Sequence, residues 1–213
     1  MDEEIFYHFL PARHAIEDLE RERIKISIIN ALNDPFELLP SLKGKSFKAR
    51  QPYHRLRRRV SSKYGLLCFS NTWQEQLLWA HYADGHKGIA IGFKSLKRKP
   101  FEVTYVSELD RVKLELTDNQ KTNEDLYCSL AAKKYIGWKY ENEYRILVPL
   151  EHKSCPHFLN FDGELKVEKI VLGCKFNKED KEYMSKLALK FKAELIDTRE
   201  AWEGYKINKR GKK

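Results

Sequence analysis

Short runs of β-branched and aromatic residues recur along this chain more often than helical stretches do, and the two do not alternate one for one. That order constrains the fold more than any other feature. Strict βαβ alternation would give a doubly wound parallel sheet, whereas many strands with roughly three to five helices argue an α+β domain. Strands are predicted over 5–10, 24–28, 66–70, 88–93, 101–106, 140–150, 167–173, 194–197 and 202–207, where aromatic and β-branched residues gather and several runs alternate with period two. Helices are predicted over 12–22, 53–64, 73–82, 126–135 and 177–193. Thr72 and Glu75 are spaced as a capping box, and Gly65 follows the second helix as a stop signal. Asn33-Asp34-Pro35-Phe36 is a turn with a mechanism, because Asx side chains bond the local backbone and Pro fixes φ. Residues 110–123 are polar and read as loop or exposed helix. No Gly/Ser/Pro-rich linker and no repeat divides the 213 residues, so 1–208 reads as a single domain with a basic insert at 38–64, followed by a frayed basic tail at 209–213.

The net charge is +9, and its distribution says more than its size. Residues 38–74 contain no acid and carry nine bases: Lys43, Lys45, Lys48, Arg50, Arg55, Arg57, Arg58, Arg59 and Lys63. A single-sign block repels itself unless something anionic lies against it. Lys and Arg neutralise phosphates and aromatic rings stack on bases, so this window, flanked by Tyr53 and Tyr64, reads as a nucleic-acid contact through Arg55, Arg57, Arg58, Arg59 and Lys63, or else as a solubilising face. The 12% aromatic content is ample for a core and excludes disorder for most of the chain. No stretch approaches the ~20 apolar residues of a membrane span. The acidic start, Met1-Asp2-Glu3-Glu4, has no basic region followed by an apolar one, so a cytoplasmic protein without a membrane partner is expected. Cys68, Cys128, Cys155 and Cys174 are far apart and read as buried thiols.

A Walker A loop, a dinucleotide-binding Gly-x-Gly-x-x-Gly and a Gly-x-Ser-x-Gly elbow are all absent. Three other constellations carry chemistry. In a strand over 140–150, Tyr144, Ile146 and Val148 share one face while Glu141, Glu143 and Arg145 share the other. Two carboxylates about 7 Å apart beside an arginine suit one pocket, or else an ordinary charged strand face with cross-strand ion pairs. His8, beside Tyr7 in an aromatic strand, is either a site residue or a core histidine bonded to backbone. The run from Trp79 to Gly88 packs His81, Tyr82, Asp84 and His86 around a turn, which suits stacking on a flat ligand or simple helix capping. A zinc site would need more ligands than this run supplies, so no metal is expected.

Four of these motifs in order resemble a widespread bacterial domain family long without an assigned function: Asn33-Asp34-Pro35-Phe36-Glu37; Leu67-Cys68-Phe69-Ser70; the run from Trp79 to Phe93; and Trp138-Lys139-Tyr140-Glu141-Asn142-Glu143-Tyr144-Arg145. The opening, Phe6-Tyr7-His8-Phe9, a helix with Ile16 and Leu19, then Ile24-Lys25-Ile26-Ser27, resembles ADP-ribosyltransferases of the DarT toxin type, although Leu10 stands where such openings carry Thr or Ser. Glu141-Asn142-Glu143 resembles the Glu-x-Glu element of many transferases, whose second Glu is catalytic.

The resemblance implies a split mixed or antiparallel sheet with flanking helices, NAD as substrate, and nucleic acid, RNA above DNA, as acceptor. It also implies a toxin or phage-defence role, with an antitoxin and a chaperone as possible partners, as in CmdT-like mRNA-modifying transferases. His8 would then hold an NAD ribose hydroxyl and Tyr82 would stack on nicotinamide. Glu143 would be catalytic and Glu141 would steer the acceptor, with Arg13, Asn33 and Arg145 as further NAD contacts. Cleavage of the nicotinamide–ribose bond gives an oxocarbenium-like sugar that a carboxylate can stabilise. Two other classes remain open at this point: a non-catalytic RNA- or DNA-binding module, and a metal-dependent nuclease using His81, Asp84, His86 and a Glu.

Overall fold

The computed structural model describes residues 4–39, 47–109, 120–150 and 156–211. Lys43, Lys45, Cys155, most of the polar stretch 110–123, residues 1–3 and the end of the tail lie outside them, as does the side chain of Lys48. The chain opens β1 (Phe6–Leu10), α1 (Ala12–Glu20) and β2 (Arg23–Ile26), and a 3-10 turn at Ile29–Ala31 leads toward α2 (Phe47–Ser61). Then come β3 (Tyr64–Ser70), α3 (Gln76–Tyr82), β4 (Ile89–Ser95), β5 (Phe101–Glu102), β6 (Thr104–Val106), α4 (Gln120–Ala131) and β7 (Lys133–Tyr135). A second 3-10 helix, Ile136–Glu141, enters β8 (Glu143–Pro149), followed by β9 (His157–Asn160), β10 (Leu165–Leu172), α5 (Lys181–Phe191), β11 (Glu194–Glu200) and β12 (Ile207–Lys209). The α+β class holds. One mixed sheet of eight strands runs β12-β11-β10-β4-β1-β3-β8-β5, and two short ribbons, β2-β9 and β6-β7, lie beside it. Within the large sheet, β10 and β11 are parallel, which requires the crossover that α5 provides.

Alternation along the strands sorts the core. Phe6, Phe69, Ile91, Phe93, Ile146, Val148 and Ile170 face α1 and α5, which contribute Ala15, Leu19, Met184 and Leu187. Tyr7, Phe9, Ala90, Val171 and Ile196 face the other way, onto Leu78, Trp79 and Ala83 of α3. A third cluster joins Leu56 and Val60 of α2 to Tyr127, Leu130 and Ala131 of α4, over Ile29 and Leu38.

Several elements depart from expectation, each for a local reason. α2 starts six residues early and runs through Pro52, which forfeits one ladder bond, and it ends at Ser61 so that Tyr64 and Gly65 join β3. The capping box is not formed: Glu75 is itself the cap, accepting from Leu77 N at 3.0 Å, while Thr72 Oγ1 closes a turn onto Gln74 N. The run 101–106 breaks at Val103, whose N–H goes to Glu143 O; β5 pairs with β8 and β6 with β7. The helix expected to reach residue 135 stops at Ala131, because Lys133–Tyr135 is taken up as a parallel partner of β6. β9 was not expected, and 202–206 is a loop rather than a strand, with Gly204 at φ 92°.

Gly88, just before β4, lies against the backbone of Leu10 at the end of β1 and of Ala83 just past α3. A Cβ there would lie 2.2 Å from Leu10 O and 2.8 Å from Ala83 Cα, both backbone atoms that cannot rotate away. Gly88→Ala is therefore expected to lower unfolding stability by about 1–3 kcal/mol or more, read as a lower urea midpoint at unchanged m-value.

Candidate active site

Strands β1 and β3 share one registered pair, Tyr7 with Ser70, whereas β1 matches β4 over five pairs and β3 matches β8 over seven. Beyond Tyr7 the large sheet parts. A buried carbonyl without a ladder partner must find another donor, and His8 fills the gap, with Nδ1 2.8 Å from Cys68 O. A carbonyl can only accept, so Nδ1 carries the ring proton and Nε2 of the neutral ring is an acceptor. Burial lowers the His8 pKa against the opposing pull of the Cys68 carbonyl, which keeps the ring neutral at pH 7.

The parting opens into a cavity of about 250 Å³ whose walls include His8, Asn33, Phe69, Tyr82, Glu141 and Glu143. Its floor is a buried ion cluster fed by a turn, a 3-10 helix and two strands. An Asx turn, with Phe36 N donating to Asp34 Oδ1 at 2.8 Å, swings Glu37 inward. β7 supplies Lys134. Glu141 leaves the 3-10 helix, Asn142 adopts the left-handed region at φ 42°, and Glu143 and Arg145 follow on the inner face of β8. Asn tolerates that conformation better than other residues with a Cβ.

Arg145 forks onto Glu143, Nε to Oε1 and Nη2 to Oε2, both at 2.8 Å; Nη2 also reaches Glu37 Oε1, and Nη1 reaches Ala131 O. Lys134 Nζ sits 2.5 Å from Glu141, 3.1 Å from Glu143 and 3.2 Å from Glu37. Above them Asn33 Nδ2 donates to the Tyr82 hydroxyl at 3.0 Å, and that hydroxyl donates to Glu141 Oε1 at 2.5 Å.

Three carboxylates thus face two cations, and the ionised cluster carries one surplus negative charge. The surplus is not shared evenly. Burial opposes ionisation of Glu143, but the bidentate Arg145 outweighs it, with help from Lys134, and holds the carboxyl down at about 2. Burial raises Glu141, and the nearby Glu143 charge adds to the rise against the pull of Lys134. Burial also disfavours the Lys134 ammonium, yet the three glutamates more than compensate and raise its pKa. Cys68 is pushed up by burial and then by Glu143, so its thiol stays protonated.

Five of the residues singled out from the sequence, His8, Asn33, Tyr82, Glu141 and Glu143, therefore line one cavity. Two others do not. Arg13 is exposed on α1 and is not part of the wall. Arg145, read from the sequence as an NAD contact, is fully buried beneath Glu143 with its nitrogens committed to Glu143, Glu37 and Ala131, so it offers no surface to a phosphate. Glu37 and Lys134 are site residues that the sequence reading did not identify.

His81, Asp84 and His86 do not gather. His81 is exposed beside the Tyr140 ring, Asp84 is exposed in the turn, and His86 lines a separate cavity. Among the described residues no group of three or more His, Cys, Asp or Glu is arranged to hold a metal ion. Nor, among them, is any helix long and apolar enough to cross a membrane. On α2, Tyr53, Leu56 and Val60 are buried, while Arg50, Arg55, Arg58 and Arg59 are exposed on a face without an acid. Arg57 is half-buried over Tyr53, and Lys63 is half-buried just past the helix.

A family profile described as "Protein of unknown function (DUF2971)" matches residues 78–146, from α3 into β8. The matched segment contains Tyr82, Lys134, Glu141, Glu143 and Arg145 but not His8, Asn33 or Glu37. No curated protein and no solved structure matches the chain.

The cluster fixes the sign of the acid response. The folded Glu143 carboxyl lies below its ordinary value of 4.5, so its stabilising contribution is complete above about pH 4.5 and is lost as pH falls toward 2. Glu143→Gln is expected to flatten that part of a stability–pH profile measured by urea unfolding. Lys134→Met leaves three carboxylates facing Arg145 alone. It is expected to cost about 3–5 kcal/mol at pH 7, and the loss is expected to shrink as the pH falls, because the Glu141 carboxyl, already raised by burial and by Glu143, takes a proton more readily without Lys134.

Proposed function

We propose that this chain is an NAD-dependent ADP-ribosyltransferase acting on nucleic acid, with RNA as the favoured acceptor, of the kind used as toxins or defence effectors. The supporting observation is the convergence of a neutral histidine, a tyrosine and two glutamates on one cavity at the place where β1 and β3 part. At about 250 Å³ the cavity is smaller than the roughly 300–1,000 Å³ of ordinary ligand pockets, which suits a ring and part of its sugar, with the rest of a dinucleotide on the surface. Its surplus negative charge favours a cationic aromatic ring, and oxidised nicotinamide is one.

The roles follow from protonation. His8 Nε2 accepts a ribose hydroxyl. The Tyr82 ring packs on nicotinamide, with its hydroxyl anchored by Asn33 and Glu141. Glu143, kept ionised by Arg145, is a fixed negative charge for the cationic sugar that develops as the C–N bond breaks and its electron pair leaves with neutral nicotinamide. The acceptor's lone pair then forms the new bond to that carbon, and its proton passes to a base. Glu141, whose affinity for a proton is raised, suits that task better than Glu143. The two carboxylates thereby divide the charge-stabilising and proton-handling work. The exposed basic face of α2 suits the phosphates of the acceptor strand.

Purified protein given NAD and total RNA is expected to release nicotinamide and to transfer label from NAD to RNA. Glu143→Gln and Glu141→Gln should each reduce both by about 10²–10⁴-fold, while Arg58→Ala with Arg59→Ala should raise the KM for RNA and leave NAD hydrolysis unchanged. Undiminished transfer in both glutamate variants would overturn the reading.

A further inference from the structure

The loop between β11 and β12 holds the two most exposed large hydrophobic side chains among the described residues, Trp202 at 91% and Tyr205 at 89%. Neither belongs to a hydrophobic cluster, and neither lines the cavity at the parted sheet. They are held outward by a braced loop. Ala201 N donates to Lys206 O at 3.0 Å, Lys206 N donates to Gly204 O at 3.1 Å, and Gly204 takes a φ of 92° that side-chain-bearing residues avoid. On its far side the loop is tied to the approach to α3, where Ile207 N donates to Gln74 O at 2.9 Å, Gln74 Nε2 donates to Ile207 O at 3.3 Å, and the backbones of Glu75 and Lys206 form an isolated antiparallel β-bridge.

Between the loop, α3 and the segment after β10 lies a second cavity of about 530 Å³, with Trp202, Tyr205, Lys175 and Lys206 in its wall. Both lysines are exposed and enter no ion pair among the described residues. The one carboxylate in the wall, Glu200, takes a backbone N–H and the Cys174 thiol as its hydrogen-bond donors, and it feels the charges of Arg210 and Lys175 at longer range. Glu203, at the tip, is not part of the wall.

Two flat rings in water cost free energy unless something covers them. Their surroundings say what. Aromatic faces recruit planar rings, and a pair of exposed ammonium groups outside any close ion pair recruits phosphate; a polymer that repeats both is single-stranded nucleic acid. A duplex keeps its bases stacked inside and offers the rings nothing. We infer that the β11–β12 loop is a stacking platform for single-stranded nucleic acid. Trp202 and Tyr205 take unpaired bases, and Lys175 and Lys206 take the neighbouring phosphates. The loop backbone is braced in advance, so little backbone freedom is lost on binding. The platform abuts Gln76 at the start of α3, and Tyr82 lies six residues further along, about 9 Å at the helical rise. This inference shares with the proposed function only the class of partner, and it stands without any NAD chemistry.

The test uses full-length protein, a labelled oligouridylate, the same sequence as a duplex, and heparin as a charged probe without bases. The wild type is expected to bind the single strand more tightly than the duplex, with quenching of Trp fluorescence. Trp202→Ala and Tyr205→Ala should each weaken single-strand binding about tenfold or more and leave heparin binding unchanged. Lys175→Ala and Lys206→Ala should each make the salt dependence shallower by about 0.7 in log–log slope. Unchanged oligouridylate affinity in the double aromatic variant would overturn the inference. So would an equal loss of heparin binding, which would mean charge alone is being read. NAD hydrolysis with water as acceptor, assayed on the same variants, is expected at the wild-type level. Failure of the binding test therefore leaves the NAD reading standing, and absence of NAD turnover leaves the binding test valid.

Discussion

Arg145 is the joint on which the candidate site turns. A guanidinium with no exposed surface is costly to desolvate, and it persists only because each of its nitrogens has an acceptor at 2.8 Å. Those acceptors come from three places: Glu143 on its own strand, Glu37 on the turn after β2, and Ala131 at the end of α4. One planar group thereby fixes the relative position of a strand, a turn and a helix end. Lys134 cannot do the same, since its ammonium is a point charge that accepts any direction of approach. It instead spans the three carboxylates and ties β7 to the cluster.

The odd count of charges has a consequence for reactivity. With three acids and two bases, one carboxylate must be undercompensated, and geometry decides which. Glu143 has the bidentate fork, and Glu37 shares both cations. Glu141 has only Lys134 and the Tyr82 hydroxyl. The group with the weakest cationic support is also the one nearest the tyrosine at the cavity wall. A proton is therefore most easily held where a ligand would meet it, while the negative charge beneath it stays fixed.

The legible parts of this arrangement are those encoded by local period or local turn chemistry. The opening β1-α1-β2 order, the strand after Gly88 and the Asx turn at Asp34 were all readable, because each is set by side chains within a few residues of one another. Glu143 and Arg145 were readable as neighbours on one face for the same reason. Glu141 reaches that face by another route, through a left-handed Asn142 after a 3-10 helix, which a period-two reading does not anticipate. Lys134 was hidden because residues 126–131 carry an apolar helical spacing that nothing in the next four residues interrupts; only the distant β6 converts them into a strand. Glu37 was hidden because a lone acid after a turn looks the same whether it points to water or to a buried arginine. The expected strand over 202–207 failed for the converse reason. Trp202 and Tyr205 have strand propensity, but with no sheet face to cover them, the positive φ of Gly204 sets the conformation.

The charge of the molecule is arranged in two compartments that scarcely interact. The chain as a whole is +9, with the exposed arginines of α2 and the lysines beside Trp202 facing solvent, whereas the floor of the parted sheet is buried and net negative. Exposed charges are screened over about 8 Å at physiological ionic strength, and buried pairs much less. The outer surface can therefore attract a polyanion without its positive potential cancelling the field inside the cavity. A cationic ring entering that cavity meets the local surplus of carboxylate and not the average of the chain. Burial rather than net charge decides which field each partner feels, and the same burial explains why five ionisable side chains packed together can hold different protonation states at one pH.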